Sequence, residues 1–188
     1  MVYQEYFQIY LTTVIILNKM FIQKVLFTKK ECLEILSKKG EFKNSKIKLK
    51  NEIPKPNIKY RNSKTSNINS NKVKDIILDK LSLIDNTIKS LPDNIDITRY
   101  DEGDFFIKHQ DSSSDYPNRL KTLVIQLSNE NYTGGILKVW ENNNVPHISS
   151  TEIGNVIIFN SDYYHEVTKL VKGTRYVLVC WLTNDNFK

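Results

Sequence analysis

His109 and Asp111 stand two residues apart in "FFIKHQD", in a chain that holds only 3 histidines among 188 residues. If that run is a strand, alternate side chains leave it on one side, so an imidazole and a carboxylate project together. Such a pair offers one nitrogen and one oxygen to a divalent cation. A third ligand has to come from elsewhere, and His165, in "YYHEVTKLV", is the candidate. Two imidazoles and one carboxylate, with three coordination positions left open, form the set that suits non-haem Fe(II). The open positions matter because a co-substrate and O₂ must reach the metal together. Taken alone, a His and an Asp at this spacing are weak evidence and read more readily as a solvated pair on a surface strand.

Arg175 follows His165 by ten residues, across the turn "KGT". With Gly173 in the left-handed position of a three-residue hairpin loop, Val171 pairs with Arg175. His165, Val167, Val171 and Arg175 then share one face. The arginine lies roughly 20 Å along a flat strand from the metal level, and strand twist shortens that gap. A planar guanidinium grips a carboxylate through two hydrogen bonds, which suits the far end of 2-oxoglutarate, a five-carbon diacid.

These residues need a rigid frame, and the pattern beyond Pro92 supplies one. Short apolar runs ("IDITRY", "FFIKHQD", "LKTLVIQLS", "GILKVW", "NVIIF", "HEVTKLV", "RYVLVCWL") alternate with turn clusters such as "DEGD", "SSSDYPN" and "NENYTGG". Seven or eight strands at that spacing predict a β-sandwich or jelly roll. Before Pro92 the period is helical in two places. "TKKECLEILSKKG" predicts a short helix capped by Thr28 with Glu31 three residues on, ended by Gly40. "NKVKDIILDKLSLIDNTIKSLP" puts Val73, Ile76, Ile77, Leu81, Ile84 and Ile88 on one face of a second helix that ends before Pro92. "MFIQKVLFT" predicts a strand, and the polar segment 41–71 an edge strand or two joined by loops. The fold class is therefore α+β, mainly β, with helices packed on one outer face.

Size and charge narrow the possibilities. The chain suffices for one well-buried domain. Cys32 and Cys180 are far apart without metal-type spacing, so they read as small buried hydrophobes in a reducing, cytoplasmic compartment. The apolar run "YFQIYLTTVIIL" is 12 residues long, short of the ~20 a membrane helix needs, and Glu5 precedes it where a secretory leader has basic residues. Residues 1–19 are expected to be an extension to a domain spanning 20–188. The net charge of +6 is uneven, with 19 Lys+Arg against 10 Asp+Glu in residues 1–99 and 8 against 11 in the rest. The lysines stand singly among asparagines, which reads as a solvated surface.

In order along residues 97–182, "RYDEGDFFIKHQD", "RLKTLVIQLSNENYTGGILKVW" and "GNVIIFNSDYYHEVTKLVKGTRYVLVCWL" resemble the 2-oxoglutarate- and Fe(II)-dependent dioxygenases, in particular their prolyl 4-hydroxylase-like branch. The resemblance implies a double-stranded β-helix. It implies that His109, Asp111 and His165 hold Fe(II), that Arg175 binds the 5-carboxylate of 2-oxoglutarate, and that ascorbate serves as reductant. Tyr100 matches a position near the co-substrate. Gln126 stands where many prolyl hydroxylases carry a tyrosine that helps bind the distal carboxylate. Many of those enzymes also use lysine at the Arg175 position, and both departures loosen the tie to proline. Arg119 matches a basic position sometimes near substrate, with an ion pair as the plainer alternative. Trp181 is a substrate candidate on the proposed inner face, with core packing as the alternative. Trp140 is ambiguous, Gly134 and Gly135 suit a tight turn, and His147 reads as an exposed loop residue.

The activity implied is hydroxylation of a C–H bond on a prolyl or other residue of a protein or peptide, with release of succinate and CO₂. A small-molecule substrate stays open. A nucleic-acid dealkylase of the same superfamily is the rival, but it typically carries a second arginine six residues after the first, where this chain has Trp181. A non-catalytic jelly-roll module is the other, set against retention of all four site residues. A cupin-type metal enzyme leaves Arg175 unexplained.

Overall fold

The computed structural model describes residues 21–47, 54–128, 131–141 and 145–187. The apolar run before Met20 and the proposed extension lie outside them. In chain order the elements begin with β1 (Phe21–Val25), α1 (Lys29–Ser37), β2 (Lys43–Asn44), β3 (Arg61–Asn62), β4 (Lys64–Ile68) and α2 (Asn71–Leu81). The β-rich part follows with β5 (Ile95–Tyr100), β6 (Phe105–His109), β7 (Lys121–Gln126), β8 (Thr133–Gly134) and β9 (Leu137–Trp140). It closes with β10 (His147–Ile148), β11 (Asn155–Asn160), β12 (Tyr164–Val167), β13 (Leu170–Lys172) and β14 (Arg175–Leu182).

A major sheet of order β1-β11-β7-β14-β5-β4-β2 faces a minor sheet of order β10-β9-β12-β6-β3, the jelly roll that the strand spacing predicts and the double-stranded β-helix that the resemblance implies. The central strands of the major sheet are buried on both faces, and their alternation sorts two cores. Leu123 and Ile125 turn outward to meet Cys32 and Ile35 of α1 and Val73, Ile77 and Leu81 of α2. Val124, Ile157, Phe159 and Val177 turn inward, toward Leu137, Val139 and Val167 of the minor sheet. The helices thus close one outer face, each fully buried Ile or Leu contributing about 1.5–3 kcal/mol. Both cysteines are free and buried, and burial pushes each thiol up to about 12.

Three local expectations are corrected. Helix α1 carries its capping box, with Thr28 N–H donating to Glu31 Oε2 at 2.8 Å, but it ends at Ser37 rather than at Gly40. The amide of Gly40 instead donates to Ser66 Oγ at 2.8 Å. Helix α2 stops at Leu81, well short of Pro92. Beyond it the Asp85 carboxylate takes the Thr87 N–H at 2.9 Å, a turn that competes with helix continuation. Ile88 then bridges to Phe187 and is buried there without being helical.

The hairpin across "KGT" is the third. Gly173 does adopt a left-handed φ of 84°, which favours glycine. Yet β13 pairs with β8, while β14 pairs with β5 and β7 in the opposite sheet. Leu170 is pinned by the β5–β6 turn, its N–H donating to Asp104 O and its carbonyl accepting from Gly103 N–H, each at 2.9 Å. That contact ends the β12 direction and leaves Val171 70% exposed rather than facing inward. The turn therefore carries the chain from one sheet to the other.

Candidate active site

His109 ends β6, and its cross-strand partner on β12 is His165. Asp111 lies just past the end of β6 rather than within it, its N–H donating to Ser161 O at 2.9 Å. The three side chains converge. Asp111 Oδ1 lies 3.6 Å from His109 Nε2 and Oδ2 lies 3.3 Å from His165 Nε2, and one ligand atom from each residue falls within 4.8 Å of the others.

The backbone sets which nitrogen faces the centre. His109 Nδ1 lies 2.8 Å from Ile107 O and His165 Nδ1 lies 3.0 Å from Tyr163 O. Only an N–H can meet a carbonyl, so both Nδ1 atoms carry hydrogen and both Nε2 lone pairs are presented inward. Asp111 Oδ2 accepts from Thr122 Oγ1 at 2.7 Å, and that hydroxyl lies 3.0 Å from Ser161 Oγ. Phe106 stacks on the His109 ring at 3.5 Å and Phe159 meets His165 edge-on at 4.9 Å, so neither imidazole is free to swing.

The electrostatics favour a cation at this point. Burial opposes ionisation of Asp111, but the two imidazoles outweigh it and hold the carboxyl well below its usual range. Burial and then the neighbouring His165 lower His109. Burial pulls His165 down as well, yet Asp111 raises it above its ordinary value. A divalent cation would take the place of the proton that this cluster attracts. Two imidazole nitrogens and a carboxylate oxygen are a donor set that fits Fe(II).

The cavity that the triad lines is walled by Tyr100, Val124, Leu137, Phe159 and Val177 and also holds Arg175. Arg175 is 1% exposed, and its Nε and Nη1 have no hydrogen-bond partner among the described residues. A guanidinium left so is costly, and a carboxylate lying in the cavity would complete it. Tyr100 is the cross-strand partner of Arg175, its ring 5.3 Å from the guanidinium carbon. Gly135 passes so close that a Cβ there would sit 2.8 Å from Leu170 Cδ1 and 3.2 Å from Arg175 Cδ. Its role is therefore to admit the arginine as well as to turn the chain. The residues present fit 2-oxoglutarate with its C5 carboxylate on Arg175.

The remaining sequence candidates fall in different places. Gln126 shares the inward side of β7 with Thr122 and Val124 but lies beyond the cavity lining, its Nε2 donating to Ser150 O at 3.4 Å. Arg119 lies between the rings of Tyr116 and Trp181, at 4.1 and 3.9 Å, and donates to Asp111 O at 3.3 Å. It makes a cation–π bracket rather than an ion pair. Trp181 lines the cavity mouth instead of the core. Trp140 turns away, with Lys108 Nζ 4.0 Å above it. His147 belongs to the short edge strand β10, stacked on Phe21 at 4.2 Å, and is not a loop residue. Sequence reasoning missed Thr122, Ser161 and Arg61, a cavity-wall residue on β3. A threonine within a strand and an arginine in a polar segment carry no signal of such roles.

Comparison with known proteins bears on this geometry. Residues 95–183 match the profile of the 2OG-Fe(II) oxygenase superfamily. No curated protein matches the chain by sequence. Among solved structures, a Pseudomonas putida prolyl-4-hydroxylase superposes with a TM-score of 0.69 at 19% identity, covering 92% of this chain and 96% of that one. A Trichoplax adhaerens prolyl hydroxylase, in complex with a hypoxia inducible factor oxygen degradation domain peptide fragment, gives 0.70 at 20% identity and covers 98% and 93%. A viral collagen prolyl hydroxylase from Paramecium Bursaria Chlorella virus-1, in its 2OG complex, gives 0.62 at 18% identity and covers 87% and 96%.

Proposed function

We propose, from the premise that residues 95–183 form a 2OG-Fe(II) oxygenase domain, that this chain hydroxylates a prolyl or other residue of a protein or peptide. A 2-oxoglutarate-dependent oxidoreductase is what the family match supports, and substrates of the peptide or protein kind accord with the structural neighbours. The prolyl assignment is the finer step. The observation that carries the co-substrate assignment is the unpartnered, buried guanidinium of Arg175 in the same cavity as the three ligands. Retention of that combination argues against a non-catalytic binding module.

In this reading His109, Asp111 and His165 hold Fe(II), each imidazole presenting Nε2 because its Nδ1–H is committed to a backbone carbonyl. Arg175 orients 2-oxoglutarate by its C5 carboxylate, with Tyr100 at its side. When bound, the metal and the oxo acid supply decarboxylation to succinate and CO₂, coupled to insertion of one oxygen atom of O₂ into a C–H bond. Val124, Leu137, Phe159 and Val177 keep the cavity dry, and Trp181 and Arg119 border the opening where the target bond enters. Ascorbate would restore a reduced metal after uncoupled cycles.

One domain over 20–188 is part of this proposal. So is a cytoplasmic location, supported by two free and buried cysteines. Among the described residues no helix is long and apolar enough to cross a membrane. The test is incubation of the full chain with Fe(II), 2-oxoglutarate, ascorbate and a panel of proline-containing peptides, read by mass spectrometry. Gain of one oxygen on a prolyl residue, stoichiometric with succinate, is expected. Succinate formation stimulated only by alkylated oligonucleotides would replace this reading with dealkylation.

A further inference from the structure

We infer that the groove outside the metal site selects a peptide carrying an acidic side chain near the residue that enters the site, and that Arg61 reads that acid. This deepens the reading above and rests on it. The groove runs from the triad along the β3–β6 edge, a space of about 1060 Å³ open to solvent. Lys46, Arg61 and Arg119 line it, and the carboxylate among its described lining residues, Asp111, is committed to two imidazoles. Lys108 adds less to this field, because its ammonium is turned onto Trp140 and Tyr164.

Arg61 stands out because it lines both the groove and the deeper cavity. Its Nε donates to Ser63 Oγ at 2.8 Å, its Nη2 to Thr98 Oγ1 at 3.4 Å, and its guanidinium carbon lies 4.7 Å from the Phe106 ring centre. These contacts hold the head group at the junction without neutralising it. Asp96 lies within electrostatic reach of it, but among the described residues no ion pair joins the two, and the Asp96 carboxylate accepts from Asn67 instead. A pre-positioned guanidinium beside a reaction centre, with no ion-pair partner among the described residues, is a receptor for a carboxylate. Arg61 lies outside the 95–183 family match, so it reaches the site from a separate part of the chain.

Peptide is favoured over nucleic acid by the state of the aromatic rings. Phe106 is covered by His109 and Arg61, and Tyr116 and Trp181 are both bracketed with Arg119. Among the groove's described residues that leaves Tyr60, 40% exposed, as the open ring, too little for stacking successive bases. Ile47, Tyr60 and Ile107 lie along the same groove and suit the apolar side chains of a peptide.

The experiment is anaerobic fluorescence anisotropy with the full chain and three labelled probes. These are a proline-containing peptide with flanking glutamates, its glutamine counterpart, and single-stranded oligothymidylate. The glutamate peptide should bind about tenfold tighter than the glutamine one, with a difference that shrinks at high salt. Arg61→Gln should remove the preference, whereas Arg61→Lys, which keeps the charge and loses the forked donors, should retain most of it. Equal affinity of the two peptides, a preference that survives Arg61→Gln, or tighter binding of the oligonucleotide than of either peptide overturns the inference. A parallel titration separates the two readings: absent 2-oxoglutarate binding with the peptide preference intact would overturn the oxygenase assignment and leave this one standing.

Discussion

Thr122, on the major sheet, donates a 2.7 Å hydrogen bond to the Asp111 oxygen that faces His165, on the minor sheet. One hydroxyl thus ties the two sheets together at the metal centre and holds the carboxylate in the orientation the imidazoles require.

Thr122→Val keeps the strand shape and removes that donor. Metal affinity should fall about 10–100-fold, the usual effect of losing a group that orients a ligand. Co(II) titration followed by its visible absorption reads this directly, with circular dichroism to confirm the fold. Unchanged affinity would show that Asp111 is held in place without Thr122.

Arg175→Ala should weaken 2-oxoglutarate binding by calorimetry while Co(II) still binds. The expected loss is about 30-fold to a few thousandfold, since removing one partner of a buried charge pair costs about 2–5 kcal/mol. Retained 2-oxoglutarate affinity would sink the co-substrate assignment.

Gly135→Ala tests the packing around that arginine. The new methyl group meets Leu170 and Arg175 at a residue whose φ is 60°, so stability should drop by about 1–3 kcal/mol. Affinity for 2-oxoglutarate should weaken with it, and metal affinity should not. If chemical denaturation and 2-oxoglutarate titration both match wild type, Gly135 is merely a turn residue.

Glu31 gives a pH-dependent stability. Its hydrogen bond from the Thr28 backbone, with further help from Lys80, lowers its pKa from the ordinary 4.5, burial opposing in part. A lowered folded value means that the contribution is fully present above pH 4.5 and is lost as pH falls through the folded value. Glu31→Ala should therefore cost about 1 kcal/mol at neutral pH, with the variant and wild type converging in acid. Urea denaturation at several pH values checks it, and a gap that widens in acid would contradict the sign.

Much of the site was legible in the residues themselves. A rare histidine placed two positions from an aspartate marks the candidate ligands, although Asp111 lies past the end of β6 and strand alternation is not what brings the two together. The capping box of α1 is equally local, being written in Thr28 and Glu31. The second helix was overrun because Ile84 and Ile88 keep helical spacing after the backbone has turned. Apolar periodicity reports burial, and those two side chains pack against the helix-side core without helical geometry.

What the amino-acid sequence determined alone was therefore local: strand and turn alternation, the helix cap, and the chemical types of the ligands. Tertiary structure decided which residues meet. Arg175 reaches the cavity across from Tyr100 on the major sheet, not through a hairpin with Val171, because Leu170 is held by the β5–β6 turn and the chain must change sheets. Thr122 and Arg61 acquired their places by the same means, through pairings between strands distant in sequence. Period-two alternation assigns a side of a strand, but the opposing side chain is chosen by sheet order and register, which exist only once the two sheets have closed on each other.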